Sequence, residues 1–174
     1  VSVYGDTVAV GSVNESSTQS TITNGATASA DQSGGANGAV YIYKRTGAAW
    51  AQEAYIKPSN THDGDYFGYS VSIFGDTLVA SSRYEGSAIT TITTGAAASS
   101  DVSAAQSGAV YVFKRTGTTW AQTAYIKPSN LIAGAEFGYQ VGLYGTTLVV
   151  GATNESSNQT TITNGSIGAT DTSA

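Results

Sequence analysis

The chain repeats itself every 70 residues, and this period restricts the possible folds more than any other feature. The segment Val1–Thr7 (Val-Ser-Val-Tyr-Gly-Asp-Thr) returns as Val71–Thr77 and, less closely, as Val141–Thr147. Because the copies align without a gap, the chain divides into three units, the last of them incomplete: 1–70, 71–140 and 141–174. A period of this size is typical of solenoids, propellers and similar arrays. Residues that occur in every copy are therefore expected to serve the architecture of the repeat.

Composition limits the classes of function. The formal net charge is −5 and the pI is near 4.5, so we expect no nucleic-acid partner. Cysteine is absent and His62 is the only histidine, which argues against thiolate chemistry and against sites built from several imidazoles. No apolar run approaches the ~18 residues that a membrane helix needs, so membrane insertion is not expected. Since the chain also lacks methionine and stops within a unit, we expect it to be an excerpt of a longer or processed polypeptide.

Each unit is predicted to form four short strands in two hairpins. In the second unit, Val71–Ala80 holds two apolar runs around a Gly-Asp turn, and Ala109–Arg115 and Trp120–Ile126 flank a Thr-Gly turn. A polar segment, Ser81–Ser107, separates the hairpins, and no stretch shows a sustained helical period. Val110–Phe113 is apolar on both faces, which indicates burial from both sides. The sequence therefore predicts an all-β, β-propeller-type tandem repeat of four-stranded antiparallel blades, about two and a half in number.

One set of residues resembles a known repeat. Phe67-Gly68 and Phe137-Gly138 open units that continue, thirteen residues after the glycine, to Ser81-Ser82 and to Gly151-Ala152 respectively. With Ser107–Phe113 and the Trp-Ala-Gln at Trp120, this spacing resembles the FG-GAP repeat, most closely its bacterial form in large secreted or surface proteins. The resemblance covers essentially the whole chain and implies a β-propeller similar to the integrin α-subunit head.

That resemblance does not extend to calcium. Integrin-type blades often carry a loop of alternating aspartates between the Phe-Gly and Gly-Ala-Pro elements, whereas this interval holds only Gly-Asp-Thr or Gly-Thr-Thr turns here. Elsewhere, Asp63 and Asp65 lie in a loop that superficially resembles an oxygen-ligand site, but calcium prefers about 6–8 oxygen ligands. Their counterparts in the next unit are Ala133 and Ala135. We expect a turn with solvated aspartates and no cofactor, with weak divalent-ion binding as the alternative.

The polar segments contain a recurring Thr-Ile-Thr. Its threonines are Thr21, Thr23, Thr91, Thr93, Thr161 and Thr163. One such tripeptide per unit is too sparse for a regular ice-binding lattice, so a short strand or ordered turn is the favoured interpretation. Loops longer than about 12–15 residues without structure are usually functional. We therefore expect these segments to form a possible interaction surface, packed against each other or against a neighbouring chain.

Other repeated residues favour architecture over chemistry. Trp50 and Trp120 follow the same turn in two units, which favours packing between blades over sugar stacking. Acidic residues also recur at fixed positions without a nucleophile and base beside them: Glu15, Glu85, Glu155, Asp31, Asp101 and Asp171. No catalytic constellation is evident, so we expect no enzymatic activity.

The sequence is compatible with three functions. The first is a non-enzymatic extracellular or cell-surface segment for adhesion or for interaction with a protein or glycan. The second is a structural subunit of an extracellular filament or sheet, in which copies of the chain complete one another's blades, because unpaired blade faces need cover. The third is an accessory domain of a secreted enzyme. The expected partners are neighbouring repeats, copies of the chain itself, or an extracellular protein or glycan.

Overall fold

The computed structural model describes residues 1–165, and this part of the chain contains twelve β-strands and no helix. The first unit contains β1 (Ser2–Tyr4), β2 (Thr7–Ser12), β3 (Thr23–Asn24), β4 (Ala39–Thr46) and β5 (Ala49–Ile56). The second unit contains β6 (Phe67–Phe74), β7 (Thr77–Ser82), β8 (Ile92–Thr94), β9 (Ala109–Thr116) and β10 (Thr119–Ile126). The third contains β11 (Gln140–Tyr144) and β12 (Thr147–Gly151). The end of the third unit, with Asp171, lies outside the described residues.

Two complete antiparallel sheets share one topology. Their strand orders are β1-β2-β4-β5-β3 and β6-β7-β9-β10-β8, and β11 and β12 form a third, two-stranded sheet. The prediction of all-β blades built from two hairpins is confirmed, and the described residues form no closed ring. The polar segment adds a fifth short strand, β3 or β8, to the outer edge of each complete sheet. Strand β6 begins in the sequence unit 1–70 and ends in the unit 71–140. The structural blades are therefore offset by a few residues from the sequence units, because the frame of a repeat can begin anywhere within its period.

The hydrophobic core lies between the blades. Val40 and Ile42 of β4 belong to the same buried cluster as Phe67, Tyr111 and Phe113 of the second blade. The Phe67 ring meets those of Tyr111 and Phe113 edge-on, at centroid distances of 5.4 and 6.0 Å, a favoured aromatic geometry. A single sheet cannot bury both of its faces, so each blade depends on its neighbour for burial.

The first strands of successive units also bind one another directly. Ser2 Oγ accepts a hydrogen bond from the N–H of Ile73 (3.1 Å), and Ser72 Oγ accepts one from the N–H of Leu143 (3.0 Å). An aromatic row continues along the same strands: Tyr4, Phe74 and Tyr144. Ser2 and Ser72 therefore connect each of the first two blades to the next at the same point of the repeat.

Candidate functional site at the joints between blades

The Phe-Gly dipeptide of the second blade lies against the backbone of the first. Gly68 has a positive φ of 83°, a conformation that favours glycine, and a Cβ there would come within 2.7 Å of the carbonyl oxygen of Ala39. A Cβ on Gly11 would overlap the carbonyl oxygen of Gly68, and one on Gly38 would overlap that of Phe67. The Phe67 side chain is fully buried. Glycines of two neighbouring blades are therefore required where their backbones cross.

The next joint repeats this arrangement. Gly138 has a φ of 92°, and its Cβ would come within 2.9 Å of both the Ala109 carbonyl oxygen and the Ser81 Cβ. The N–H of Gly138 donates to the carbonyl oxygen of Gly151 (2.9 Å), so this hydrogen bond joins the Phe-Gly dipeptide to the end of β12. Ala152 follows Gly151 on the exposed surface. Ser81 occupies the place that Gly11 has at the first joint, which shows that this position admits a small side chain.

The two repeated tryptophans have different environments. Trp120 is 1% exposed, and its Nε1 donates to Glu53 Oε1 (2.9 Å) of the first blade. Arg115 also binds that carboxylate oxygen (3.0 Å) and lies over the Trp120 ring at 5.3 Å from its centroid. Trp50, by contrast, is 50% exposed. Trp120 is therefore part of a joint between blades, whereas its counterpart lies on the open face of the first blade.

The polar segments are ordered at the outer edge. Thr23 in β3 pairs with Tyr55 and Thr93 in β8 pairs with Tyr125. The other recurring threonines are exposed, and none of them lies in a strand: Thr21, Thr91, Thr161 and Thr163. Asn24 of the first unit accepts the N–H of Trp120 (2.7 Å), so this segment contacts the next blade.

A groove lies where these segments meet. Gln122 accepts the N–H of Ser59 (3.3 Å) and donates to the carbonyl oxygen of Ala96 (3.1 Å), which connects the two units at the rim. The groove beside it has a volume of about 390 Å³ and is lined by residues that include Thr21, Ile22, Asn24, Ala96, Trp120 and Gln122. Its lining includes the hydroxyl-bearing residues Ser20, Thr21 and Ser59 beside the amide-bearing Asn24 and Gln122. We call it the rim groove.

Asp63 and Asp65, the two aspartates of the candidate oxygen-ligand loop, have different hydrogen-bond partners. Asp63 Oδ1 accepts hydrogen bonds from the Gly35 N–H and from Asn37 Nδ2, both at 3.1 Å. Asp65 is only 4% exposed, contrary to the expected solvated turn. Its backbone carbonyl oxygen accepts hydrogen bonds from the Tyr84 N–H and from Ser82 Oγ at the end of β7, and these hold the residue against the second blade. Burial, followed by the nearby negative charge of Glu85, raises the pKa of Asp65 to about 7. Within residues 1–165, no group of three or more His, Cys, Asp or Glu side chains could hold a metal ion.

The repeated aspartates of the polar segments act as local clamps. Asp31 accepts the backbone N–H groups of Thr18 (2.8 Å) and Ser33 (3.0 Å). Asp101 accepts that of Ala88 (2.8 Å) in the same way. Hydrogen bonds lower the pKa of both aspartates by stabilising the charged form, from the Ser33 side chain and then Thr18 at Asp31, and from the Ala88 N–H first at Asp101. The clamps explain how segments without long strands remain ordered.

A buried ion pair occurs in each complete unit, and the sequence analysis missed it. Lys57 Nζ lies 2.8 Å from Glu15 Oε2, and Lys127 Nζ lies 2.7 Å from Glu85 Oε2. Both lysine side chains are fully buried. The signal was present in the sequence, because a lysine follows a glutamate by 42 residues in both units. Lys-Pro-Ser-Asn reads locally as a strand end, and only the fold shows that its lysine turns inward.

One further cluster occurs only once. Arg83 binds both carboxylate oxygens of Glu136 at 2.9 Å, and its guanidinium lies 4.7–5.0 Å from the ring centroids of Tyr69, Tyr84 and Tyr139. Hydrogen bonding to Glu136 raises the pKa of Arg83. The cluster ties the second blade to the start of the third unit. Sequence analysis could not assign it, because the counterparts of Arg83 are a valine and a threonine.

Comparison with known proteins identifies the repeat. The model of the FG-GAP repeat family matches residues 50–113 and 120–167, together more than half of the chain. A search of curated proteins found no match to this chain. No helix in the described residues is long and apolar enough to cross a membrane. The matched segments include both Phe-Gly joints, and the chain accordingly belongs to the FG-GAP repeat family.

Proposed function

We propose that this β-propeller-like repeat segment is a non-enzymatic part of a larger extracellular or cell-surface protein, where it serves adhesion or interaction with a protein or glycan. FG-GAP repeats are typical of extracellular or surface proteins, which supports the location. The repeated residues are used in packing between blades, at Phe67-Gly68, Phe137-Gly138 and Trp120. We therefore assign ligand binding to exposed residues on the surface of the blades.

The rim groove is the observation on which this proposal depends most. It lies at a joint, so its shape follows from the packing of two blades and is already formed without a ligand. The hydroxyls of Thr21, Ser20 and Ser59 and the side-chain amides of Asn24 and Gln122 can exchange hydrogen bonds with sugar hydroxyls or with a peptide backbone. Thr21 supplies an exposed hydroxyl at the edge of the groove.

A binding experiment tests the rim groove. The wild-type chain is applied to an array of neutral and acidic oligosaccharides and to immobilised extracellular-matrix proteins, beside Thr21→Glu and, as control, Ala48→Glu. Ala48 is exposed in the turn between β4 and β5, so the control adds the same charge away from the groove. We expect Thr21→Glu to lose binding and Ala48→Glu to retain it. Absence of binding by the wild-type chain to every probe, or equal loss in both variants, would count against the rim groove.

Location is tested separately. In the cells that produce the protein, a membrane-impermeant biotinylation reagent is expected to label it, or it is expected in the culture medium. Labelling only after cell lysis would contradict the extracellular assignment. This readout does not depend on which ligand the groove binds.

One observation favours a second candidate, a structural subunit of an extracellular filament or sheet. Val3 is 64% exposed and Trp50 50%, whereas their counterparts Ile73 and Trp120 are 4% and 1% exposed. The second blade is covered on this face by the first blade, whereas the same face of the first blade is exposed in the described residues. Light scattering over a concentration series tests whether copies cover it: assembly that Trp50→Arg abolishes and Ala48→Arg preserves supports this candidate, and a monomer at all concentrations contradicts it.

A further inference from the structure

A lysine, a glutamate and an asparagine meet in the buried centre of the second unit. Lys127 is 3% exposed, Glu85 1% and Asn60 6%. We propose that Lys127 Nζ and Asn60 Cγ form an intramolecular amide bond with release of ammonia, and that Glu85 is the catalytic residue for this step. The bond would join the Lys-Pro-Ser-Asn segment that leaves the first blade to the last strand of the second blade's main sheet. This inference is independent of the proposed function.

Both reacting side chains are held by the same carboxylate. Glu85 Oε2 accepts a hydrogen bond from Lys127 Nζ at 2.7 Å, and Glu85 Oε1 accepts one from Asn60 Nδ2 at 3.3 Å. Lys127 also donates to Ser107 Oγ at 2.7 Å. Because one rigid group orients both the nucleophile and the leaving nitrogen, the two side chains are brought together without an encounter step.

Both the oxygen and the nitrogen of the Asn60 side-chain amide form hydrogen bonds. Tyr111 Oη, which is completely buried, donates a hydrogen bond to Asn60 Oδ1 at 2.8 Å. This donor faces the oxygen on which negative charge would develop when the amine attacks, as in an oxyanion hole. Asn60 Nδ2 donates to the carbonyl oxygen of Ser99 as well as to Glu85. The electrophile is therefore positioned and polarised before reaction.

The surroundings favour the neutral amine that the reaction needs. Burial lowers the pKa of Lys127, although the charges of Glu85, Asp65 and Asp101 oppose this effect. A lysine that is removed from water gives up its proton more readily. Glu85 is placed to accept that proton, since it contacts Nζ directly.

The step balances without another reactant. Glu85 takes a proton from Lys127 Nζ, and the Nζ lone pair attacks Asn60 Cγ to give a tetrahedral intermediate. Glu85 then delivers the proton to Asn60 Nδ2, the Cγ–Nδ2 bond breaks, and ammonia leaves with its bonding electron pair. Of the two protons left on Nζ, one passes through Glu85 to the departing ammonia, which leaves as ammonium, and the other remains on the new amide. No oxidant, reductant or metal is needed.

The first unit supplies an internal control. Lys57 Nζ binds Glu15 at 2.8 Å and donates to the carbonyl oxygens of Ser17 (2.8 Å) and Gly38 (2.7 Å). These three acceptors account for all three ammonium protons. Within the described residues, the hydrogen bonds of Lys57 and Glu15 include none from an asparagine side chain. The chain is thus expected to form the bond at Lys127 and not at Lys57.

The intact mass of the purified wild-type chain tests the proposal directly, without any variant. We expect a mass below that calculated from the sequence by about 17 Da, the mass of ammonia, and a branched peptide joining Asn60 to Lys127 after digestion with trypsin. An unchanged mass would overturn the proposal. A loss of about 18 Da, one water, would overturn it too, since it would indicate a carboxyl acceptor such as Asp65.

Two substitutions and a matched control test the roles of the residues. Glu85→Gln keeps the size of the side chain and removes the base, and Lys127→Arg keeps the charge but removes the primary amine. We expect both variants to have the full calculated mass, and circular dichroism identifies any that does not fold. Glu15→Gln, the same change at the other buried pair, is expected to retain the loss of about 17 Da. Retention of the loss in a folded Lys127→Arg variant would exclude Lys127 as the nucleophile.

Discussion

At the scale of single residues, burial decides which polar groups affect stability. Lys57, Glu85 and Lys127 would each be costly to bury alone, and pairing with hydrogen bonds offsets that cost. Asp65 differs, because its burial and the nearby negative charge of Glu85 outweigh the opposing effects of the His62 N–H and of Lys127. Its carboxylate therefore makes the folded state sensitive to pH.

We predict that Asp65→Asn stabilises the protein at pH 8 and not at pH 4. Folding raises the pKa of Asp65 from about 4 in the unfolded chain to about 7. Its contribution to stability is thus most favourable below pH 4 and is lost as the pH rises through 7. The gain at pH 8 has an upper limit of about 4 kcal/mol, reduced by the weaker hydrogen bond from the His62 N–H and by the lost attraction to Lys127. Thermal unfolding at both pH values measures it, and an equal effect of Asp63→Asn would contradict this explanation.

A second prediction compares the two tryptophans. Trp120→Ala should lower the free energy of unfolding by about 3–5 kcal/mol, because it leaves a cavity and removes the indole hydrogen bond to Glu53 at the joint. Trp50→Ala should cost about 1 kcal/mol or less, since half of that side chain is in solvent. Urea unfolding followed by circular dichroism compares the two free energies. Similar losses in both variants would show that the joint does not depend on the buried indole.

At the scale of elements, local patterns predicted the main strands well. The apolar hairpins correspond to β6–β7 and β9–β10, because alternating apolar residues and Gly-containing turns are local signals. The fifth strands were harder to predict. Thr23 and Thr93 lie in strands only because β5 and β10 offer an edge to pair with, and the third Thr-Ile-Thr lies in no strand.

We predict that Thr93→Pro releases the polar segment of the second unit from the blade. Proline cannot donate to a strand ladder, so β8 should detach from β10. Limited digestion with a non-specific protease, with cleavage sites located by mass spectrometry, should then show faster cutting between residues 85 and 108. Thr90→Pro is the matched control, as Thr90 is exposed and lies outside any strand. Unchanged protection in Thr93→Pro would mean that the clamp at Asp101 is sufficient to hold the segment.

At the scale of the whole molecule, the joints hold successive units together. We predict that Gly68→Ala destabilises the protein by at least about 1–3 kcal/mol, since its φ is positive and its Cβ would meet the Ala39 carbonyl oxygen of the first blade. Gly142→Ala should be nearly neutral, because no atom outside its chain neighbours lies within 4 Å of the added Cβ. Calorimetric unfolding of the two variants tests the difference. An unchanged unfolding free energy in Gly68→Ala would show that the two backbones at this joint can move apart without loss of stability.

The 70-residue period, the paired hairpins and the Phe-Gly signature could be recognised from residue order alone, because turn chemistry and apolar patterning act over a few neighbouring positions. Contacts between distant residues decided the rest. Trp50 and Trp120 occupy equivalent positions, yet only the second is covered by a preceding blade. Glu85, Asn60 and Lys127 are far apart in the chain and meet only when two blades pack. Local patterns describe one blade, whereas burial and polar pairing depend on what lies against it.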